Sequence, residues 1–343
     1  MQDKTLNQMD PIFETLGLLL VSYNLEEVKN EMKKLLSDMG FDKEHFYSQN
    51  FKTYDKYVQI FLKNRVESKE TSDFFNEKDS NYITILLSLI VENKNWFESQ
   101  DLITEEEINS QIFYICKAVL EDETDMESPK SLDEIVSFLD NSALESEAKW
   151  KLLRIMQNPI KHIKQIIDII NSNMNSYHKA VKEIAGSLEK LLNQYNMMEI
   201  KSGDKRFYEV KKAFTESAIV YPSLAFPLSQ MLFENSCYYG LLCEKIVKNG
   251  KIRNNSKELL LLKLKALSDN SKLGIIASLK VSPKYNLEIA QQLGLTAATM
   301  SHHMTALLNC NLVGIEKKDG KVYYHLEKEN LQELIKELEE TLL

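Results

Sequence analysis

Glycine and proline are scarce in this chain, and the scarcity is uneven. Ten glycines and six prolines serve 343 residues, and only Gly17, Gly40 and Gly186 fall within the first 200. Loops that cradle phosphates or dinucleotides need glycines close together where the backbone meets the ligand, and no such cluster is present. A Gly-x-Ser-x-Gly elbow is also missing, which removes one common nucleophile arrangement. Long apolar runs are lacking too. The run Leu16 to Val21 is short, and Asp3, Asp10 and Glu14 flank or precede it, which argues against a signal peptide. No stretch approaches the roughly 20 apolar residues of a membrane helix. The expectation is a soluble, cytoplasmic protein with no membrane partner.

Cysteine is limited to Cys116, Cys237, Cys243 and Cys310, scattered along the chain. Without export signals, reduced thiols are the default. Cys237 and Cys243 would share a face if they lay on one strand, which leaves a redox or metal role open beside that of inert buried thiols. His45, His162 and His178 sit among polar residues, and the last two are 16 positions apart, too far to share a metal. Clusters such as Glu105 to Glu107 and Glu121 to Glu123 read as solvated helix ends. No catalytic residue, no metal site and no cofactor is expected, so the chain reads as a non-enzyme.

What is present is mostly helical. Apolar residues recur at three and four over 12–22, 25–39, 54–66, 81–92, 104–120, 131–139 and 146–157. Gly40 marks a helix stop, where a left-handed conformation is needed, and Pro129 and Pro159 are the other clear punctuation. From Ile160 through Ile163, Ile167, Ile170, Met174, Tyr177, Val181, Ile184, Leu188, Leu191 and Tyr195 to Met198 the steps alternate between three and four. That heptad pattern predicts one helix of roughly 60 Å, with Pro159 at its first position. Two readings stand: a coiled coil pairing two protomers, or the spine of a bundle within one chain. Asn171 to Asn175 is polar and weak in helix propensity.

Between about 205 and 247 the pattern changes. Pro222 and Pro227 interrupt any helix, and short apolar runs suggest a small β-meander. Its aromatics, Phe207, Tyr208, Phe214, Tyr221, Phe226, Phe233, Tyr238 and Tyr239, can line a ligand pocket or form the core of the sheet. Residues 248–256 are polar and basic and read as a linker, in which Lys251 and Arg253 can add phosphate contacts.

The region from Tyr285 to Leu326 reads as a helix-turn-helix followed by a hairpin wing. Leu287, Ile289, Ala290 and Leu293 supply the inner face of a short helix, and Gly294 stands where the turn needs positive φ. Thr296 is a good N-cap for the next helix. There Met300, Met304, Leu307 and Leu308 share one apolar face. The opposite face carries Ala297, Ala298, Ser301, His302 and Thr305, small or hydrogen-bonding residues that can lie flush in a major groove. Asn311 is placed to stop that helix. Leu312 to Ile315 begins a strand, Lys318-Asp-Gly-Lys321 favours a type I′ hairpin, and Val322 to Leu326 returns. Lys317, Lys318 and Lys321 would cluster at the wing tip, suited to phosphate contacts that position without reading sequence.

The motifs LKALSDNSKLGIIASL and LEIAQQLGLTAATMSHHMTALLNCNLVGIEKKDGKVYYHL then identify a likeness. From about Lys257 to Leu343 the chain resembles the winged helix-turn-helix domain of the ArsR family of bacterial repressors. The resemblance implies a homodimer that binds an imperfect promoter palindrome in double-stranded DNA and is released by a signal, here a small-molecule or protein effector. It places Ala297, Ala298, Ser301 and His302 at base-facing sites and Thr296 and Thr299 at backbone-facing ones. His303 leans toward the buried face, so a structural hydrogen bond and a DNA contact both remain open. Alanine at 297 and 298, where relatives are often polar, shifts readout toward thymine methyls and DNA shape. The family's metal sensors use a cysteine pair on the first helix of the motif, or His and Asp on the last helix. Here Pro283 to Glu288 has no cysteine and the last helix no histidine, so a non-metal signal is expected.

The formal net charge is −9, yet from Lys257 to Leu326 nine lysines face five acidic residues. The acidity of this region lies in its last helix, where Leu331, Leu334, Ile335, Leu338 and Leu342 form an apolar stripe. That stripe can pair with a second protomer or cap its own domain. The expected organisation is mainly α. It comprises a helical sensor or assembly domain over 1–200, a small β-rich segment over 201–250, and an α+β winged helix-turn-helix DNA-binding domain over 257–343. Two rivals to a DNA-binding repressor remain: a protein–protein scaffold with a degenerate winged helix, and an enzyme fused to a DNA-binding domain.

Overall fold

A computed structural model describes residues 8–99, 104–120, 127–200, 211, 219–246, 257–294, 300, 303–304, 306–308, 310–318 and 321–343. Two compact units divide the chain. One takes Met1–Lys29, Phe51–Lys201 and Ser217–Cys243, and the other Asn30–Asn50, Ser202–Glu216 and Glu244–Leu343.

The periodic segments are helices: α1 (Pro11–Tyr23), α2 (Leu25–Asp38), α3 (Lys43–Asn50), α4 (Lys52–Asn64), α5 (Lys69–Phe75), α6 (Ser80–Glu92), α7 (Glu105–Val119), α8 (Leu132–Asn141) and α9 (Ser146–Gln157). Their ends follow local chemistry. Asp10, Ser68, Asp79, Thr104 and Ser131 cap helix N-termini through their side chains. Gly40 closes α2 at φ 78, where the Phe41 N–H reaches Leu36 O and the Gly40 N–H reaches Ser37 O, each at 2.9 Å. That is the paired bonding of a Schellman stop.

The long heptad segment is two helices, α10 (Pro159–Glu183) and α11 (Ala185–Ile200), separated at Ile184 with φ −107 and ψ 7. On α10 the buried set is Pro159, His162, Ile163, Ile166, Ile167, Ile170, Asn173, Ser176, Tyr177 and Ala180. This face is wider than a two-position seam, as a helix surrounded by its own chain requires, and α10 packs against α1, α4, α5, α7 and α9. The stripe is thus consumed inside the unit rather than left for a second protomer. The weak polar stretch has a use as well. Asn173 Oδ1 accepts from the Val66 N–H at 2.8 Å, and the Ser176 hydroxyl donates to Asn64 O at 2.7 Å, so both tie down the chain leaving α4.

Helix α1 is buried on every side from Phe13 to Val21, Glu14 included. The segment after α11 folds onto it as strands β1 (Ile219–Ser223), β2 (Gln230–Leu232) and β3 (Ser236–Gly240). The expected meander is corrected here: β3 is central, parallel to β1 and antiparallel to β2. A meander would pair β1 with β2, but the turn after β1 is held by Glu14 instead. Pro222 is tolerated because β1 is an edge strand. Gly17 lets the Ala225–Phe226 turn approach, and at Gly240 a Cβ would stand 2.4 Å from the Pro227 carbonyl oxygen.

The described aromatics of this sheet serve the core. Tyr238 stacks on Phe13 with ring centres 3.6 Å apart and on Tyr221 at 5.5 Å, while Phe233 meets it edge-on. Phe207, Tyr208 and Phe214 lie outside the described residues. Cys237 is on β3 but Cys243 lies beyond its end, so the two do not share one strand. All four cysteines are buried and free, and burial pushes the Cys116 thiol up to about 12.

Candidate nucleic-acid interface

In the C-terminal unit the chain forms α12 (Lys257–Leu267), α13 (Asn270–Val281) and α14 (Asn286–Leu293), then the hairpin β4 (Val313–Lys318) and β5 (Lys321–Leu326), then α15 (Lys328–Leu342). Asp269 starts α13 by accepting the Lys272 N–H at 2.9 Å. That bond lowers its carboxyl below the ordinary range, with help from Lys272 and from the nearby His303. At the start of α14, the Glu288 carboxylate accepts the Tyr285 N–H at 3.1 Å, the reciprocal half of a capping box. Gly274 leaves room on α13 for Leu293 of α14.

Gly294 ends α14 in the left-handed region at φ 65, as the turn demands. Residues 300, 303–304 and 306–308 beyond it are helical. Met300, Met304 and Leu307 are fully buried with Ile275, Leu279, Ile289, Leu312 and Leu334. This second helix stops at Asn311, whose φ is 55. The Leu312 N–H bonds Leu307 O at 3.1 Å and the Asn311 N–H bonds Leu308 O at 3.0 Å, the same two-bond stop that closes α2. Met300, Met304 and Leu307 are buried on the face expected to be apolar. The residues expected on the opposite face, Thr296, Ala297, Ala298, Thr299, Ser301, His302 and Thr305, lie outside the described residues. His303 is described and half-buried, near enough to Asp269 to help keep that carboxyl below its ordinary range.

The wing is antiparallel and its last pair is Lys318 with Lys321. Asp319 and Gly320, between them in the sequence, lie outside the described residues. Lys317 and Lys318 end one strand and Lys321 begins the other, so three lysines gather at the wing's tip by backbone register alone. Gly314 faces His325 across the hairpin, where a Cβ would meet the His325 ring and the Glu327 carboxylate. Those two groups sit 3.2 Å apart.

The last helix divides its apolar residues. Leu334 is fully buried and Leu331 and Leu338 pack on the same core, while Ile335 is 58 % exposed and Leu342 75 % exposed. Lys263 of α12, itself buried, pairs with Glu337 at 3.2 Å, and Leu261 of α12 is 55 % exposed.

Sequence reasoning overlooked Lys284. Its backbone bonds to Tyr324 and so adds a short bridge to the wing. A lone lysine between Pro283 and Tyr285 gave no periodic signal. Among the described residues no group of three or more His, Cys, Asp or Glu gathers to hold a metal, and no helix is long and apolar enough to cross a membrane.

Residues 269–314 match the family model described as bacterial regulatory protein, arsR family. The match begins at the capping residue of α13 and runs into β4, so it contains the two-helix motif whole. No curated protein and no solved structure matches the chain.

Proposed function

We infer that a chain whose C-terminal segment is an ArsR-type helix-turn-helix, and which thereby carries the DNA-binding apparatus of a transcriptional regulator, acts as a dimeric repressor answering to a non-metal signal. The observation that carries the DNA-binding part is the coincidence of the family match with a helix-turn-helix and wing. The motif is built on Gly294, Asn311 and the Met300, Met304 and Leu307 face. Dimerisation is supported by the exposed apolar residues Ile335 and Leu342 of α15 and Leu261 of α12, which a second copy can cover. The non-metal signal is supported by the absence of cysteine from Pro283 to Glu288 and of histidine from the last helix. We assign reception of the signal to the helical unit.

Ser301 and His302 are assigned to base edges, Thr296 and Thr299 to the DNA backbone, and Lys317, Lys318 and Lys321 to phosphates. The double variant Ser301→Ala, His302→Ala is expected to lose about 1–3 kcal/mol of operator affinity per base contact, with the oligomeric state unchanged. Footprinting on the DNA upstream of the protein's own gene measures this, and undiminished protection by the variant sinks the assigned reading face. Affinity should fall steeply with added salt, because lysines that neutralise phosphates release counterions. Repeating the footprint with fractionated cell metabolites tests release by an effector.

A further inference from the structure

Lys284 is not among the residues assigned to DNA, yet three elements of the C-terminal unit meet on it. Its N–H donates to Tyr324 O at 3.0 Å, and its carbonyl accepts the Tyr324 N–H at 2.8 Å, which ties it to β5. The side chain runs to the helices. Its ammonium donates to Ser278 Oγ on α13 and to Gln292 Oε1 on α14, each at 2.9 Å. The Ser278 hydroxyl donates to the same Gln292 oxygen at 2.8 Å, closing a triangle. The neighbouring Tyr285 and Tyr323 rings meet edge to face at 4.9 Å, which braces the same junction.

Position makes this junction consequential. Gln292 lies two residues before the Gly294 turn, so a shift of the last turn of α14 passes directly to the helix that follows. Tyr324 lies on the strand that returns from the wing tip. A displacement on either side would separate two DNA-facing parts that must meet one duplex together, and misplaced contacts lose most of their worth.

We propose that Lys284 is a positioning residue for DNA binding: through Gln292 and Ser278 on one side and Tyr324 on the other, it fixes the first helix of the motif against the wing. The inference rests on the DNA-binding reading given above. Two of the three ammonium donors are directed into the protein, and hydrogen bonds from a charged donor are stronger than neutral ones. The lysine acts by holding protein to protein.

The test uses the full-length protein and a duplex that the wild type selects from a random pool. Lys284→Met, Gln292→Ala and the double variant should each bind about tenfold more weakly, the double no worse than the singles, because all three break one link. The dependence of affinity on salt should stay as in the wild type, and Lys284→Arg, which keeps a charged donor, should recover binding. Losses that add, with a salt slope lower by about one, would make Lys284 a phosphate contact and overturn the proposal.

A second measurement needs no DNA. Gln292 lies on the surface, so Gln292→Ala leaves the core intact. It should speed amide hydrogen exchange at Lys284 and Tyr324, and unchanged exchange there overturns the coupling. A wild type that selects no duplex fails the regulator reading itself, whereas a wild type that binds no better than its variants fails the positioning role alone.

Discussion

In the helical unit the largest fully buried side chains are aromatic, among them Trp96, Tyr54, Tyr57, Tyr82, Phe13, Phe51, Phe61, Phe75 and Phe113. In the DNA-binding region the fully buried side chains are Ile275, Ile289, Met300, Met304, Leu307, Leu312 and Leu334, and aromatics stay at its margin. The polar anchors differ as well. The helical unit buries whole charges. Glu77 pairs with Lys151 at 2.9 Å. Burial opposes the Glu77 charge, but Lys151 and the Asp79 and Lys78 amides hold its carboxyl below the ordinary range. Asp10 caps α1 and bonds the Tyr238 hydroxyl at 2.7 Å and the Lys94 ammonium.

Glu14, wholly buried, collects four donors: Tyr57 at 2.8 Å, Ser223 at 2.7 Å, and the Leu224 and Ala225 amides at 3.0 Å each. These contacts join residues as far as 211 positions apart. The DNA-binding region has one such buried charge, Lys263 against Glu337 at 3.2 Å, and a backbone bridge from Lys284 to Tyr324, and otherwise relies on caps and turns between near neighbours. One unit is closed by a buried cluster of distant polar bonds, the other assembled largely from local rules with two longer ties, and they should fail differently.

The sharpest way to separate them is at Glu14. Glu14→Ala leaves two amides and two hydroxyls without an acceptor in a closed core and should destabilise the helical unit by about 3–5 kcal/mol. Trp96 and Trp150, the only tryptophans, both belong to that unit, so denaturation followed by tryptophan fluorescence reports it selectively. An unchanged midpoint would remove Glu14 from its role. The counterpart is Leu307→Ala, a cavity in the small core of the DNA-binding region, expected to cost about 3 kcal/mol there. Faster amide exchange in α13 with an unmoved tryptophan transition is the expected pattern.

The pH response should also divide the units. Burial pushes the Glu14 carboxyl up to about 7 from its ordinary 4.5, against the pull of its four hydrogen bonds. The folded state therefore holds the proton more tightly than the unfolded one. Its stabilising contribution is complete below the unfolded value and is lost as pH rises through about 7, a fall of about 2 kcal/mol between mildly acidic and mildly basic solution. Glu14→Gln should flatten that fall, and a tryptophan transition whose pH dependence survives the substitution would contradict it. The smallest expected effect is Gly294→Ala. Open space surrounds its Cβ position, so only the positive φ matters, costing about 1 kcal/mol. Thermal melting of the C-terminal unit measures it, and a loss much above that would mean the turn is held by more than backbone conformation.

The same contrast explains what the sequence made legible. Periodicity located α1, α2, α4 and α6 to α9 because each buries one face or more. Gly40, Gly294 and Asn311 marked ends because their neighbours left only a left-handed residue to close each helix. Helices α3 and α5 are too short to show a period. The break at Ile184 occurs inside an unbroken stripe, and Gly186, two residues beyond it, was a signal the stripe outweighed. The parallel pairing of β1 with β3 depends on Glu14 holding the turn between them, and nothing near Pro222 points to a residue 200 positions earlier. The available signal was Glu14 itself, an acid within the apolar stretch Ile12 to Val21, where a charge has to find partners elsewhere. At the interface, the helix-turn-helix and wing were legible through turn chemistry and register. Lys284 was not, because its partners come from three separate elements.

The bonds from Glu14 to residues 223–225 also set a schedule. A ribosome adding about 5–20 residues each second needs roughly 10–40 seconds to travel from one to the other. During that interval α1 has emerged with a buried acid in its first turn and, of the four donors, only Tyr57 already made. The helical unit can close only when the strand segment arrives, shortly before the helix-turn-helix is made. A nascent chain arrested upstream of Ser223 should therefore expose α1 to chaperones, and one arrested well beyond Gly240 should not.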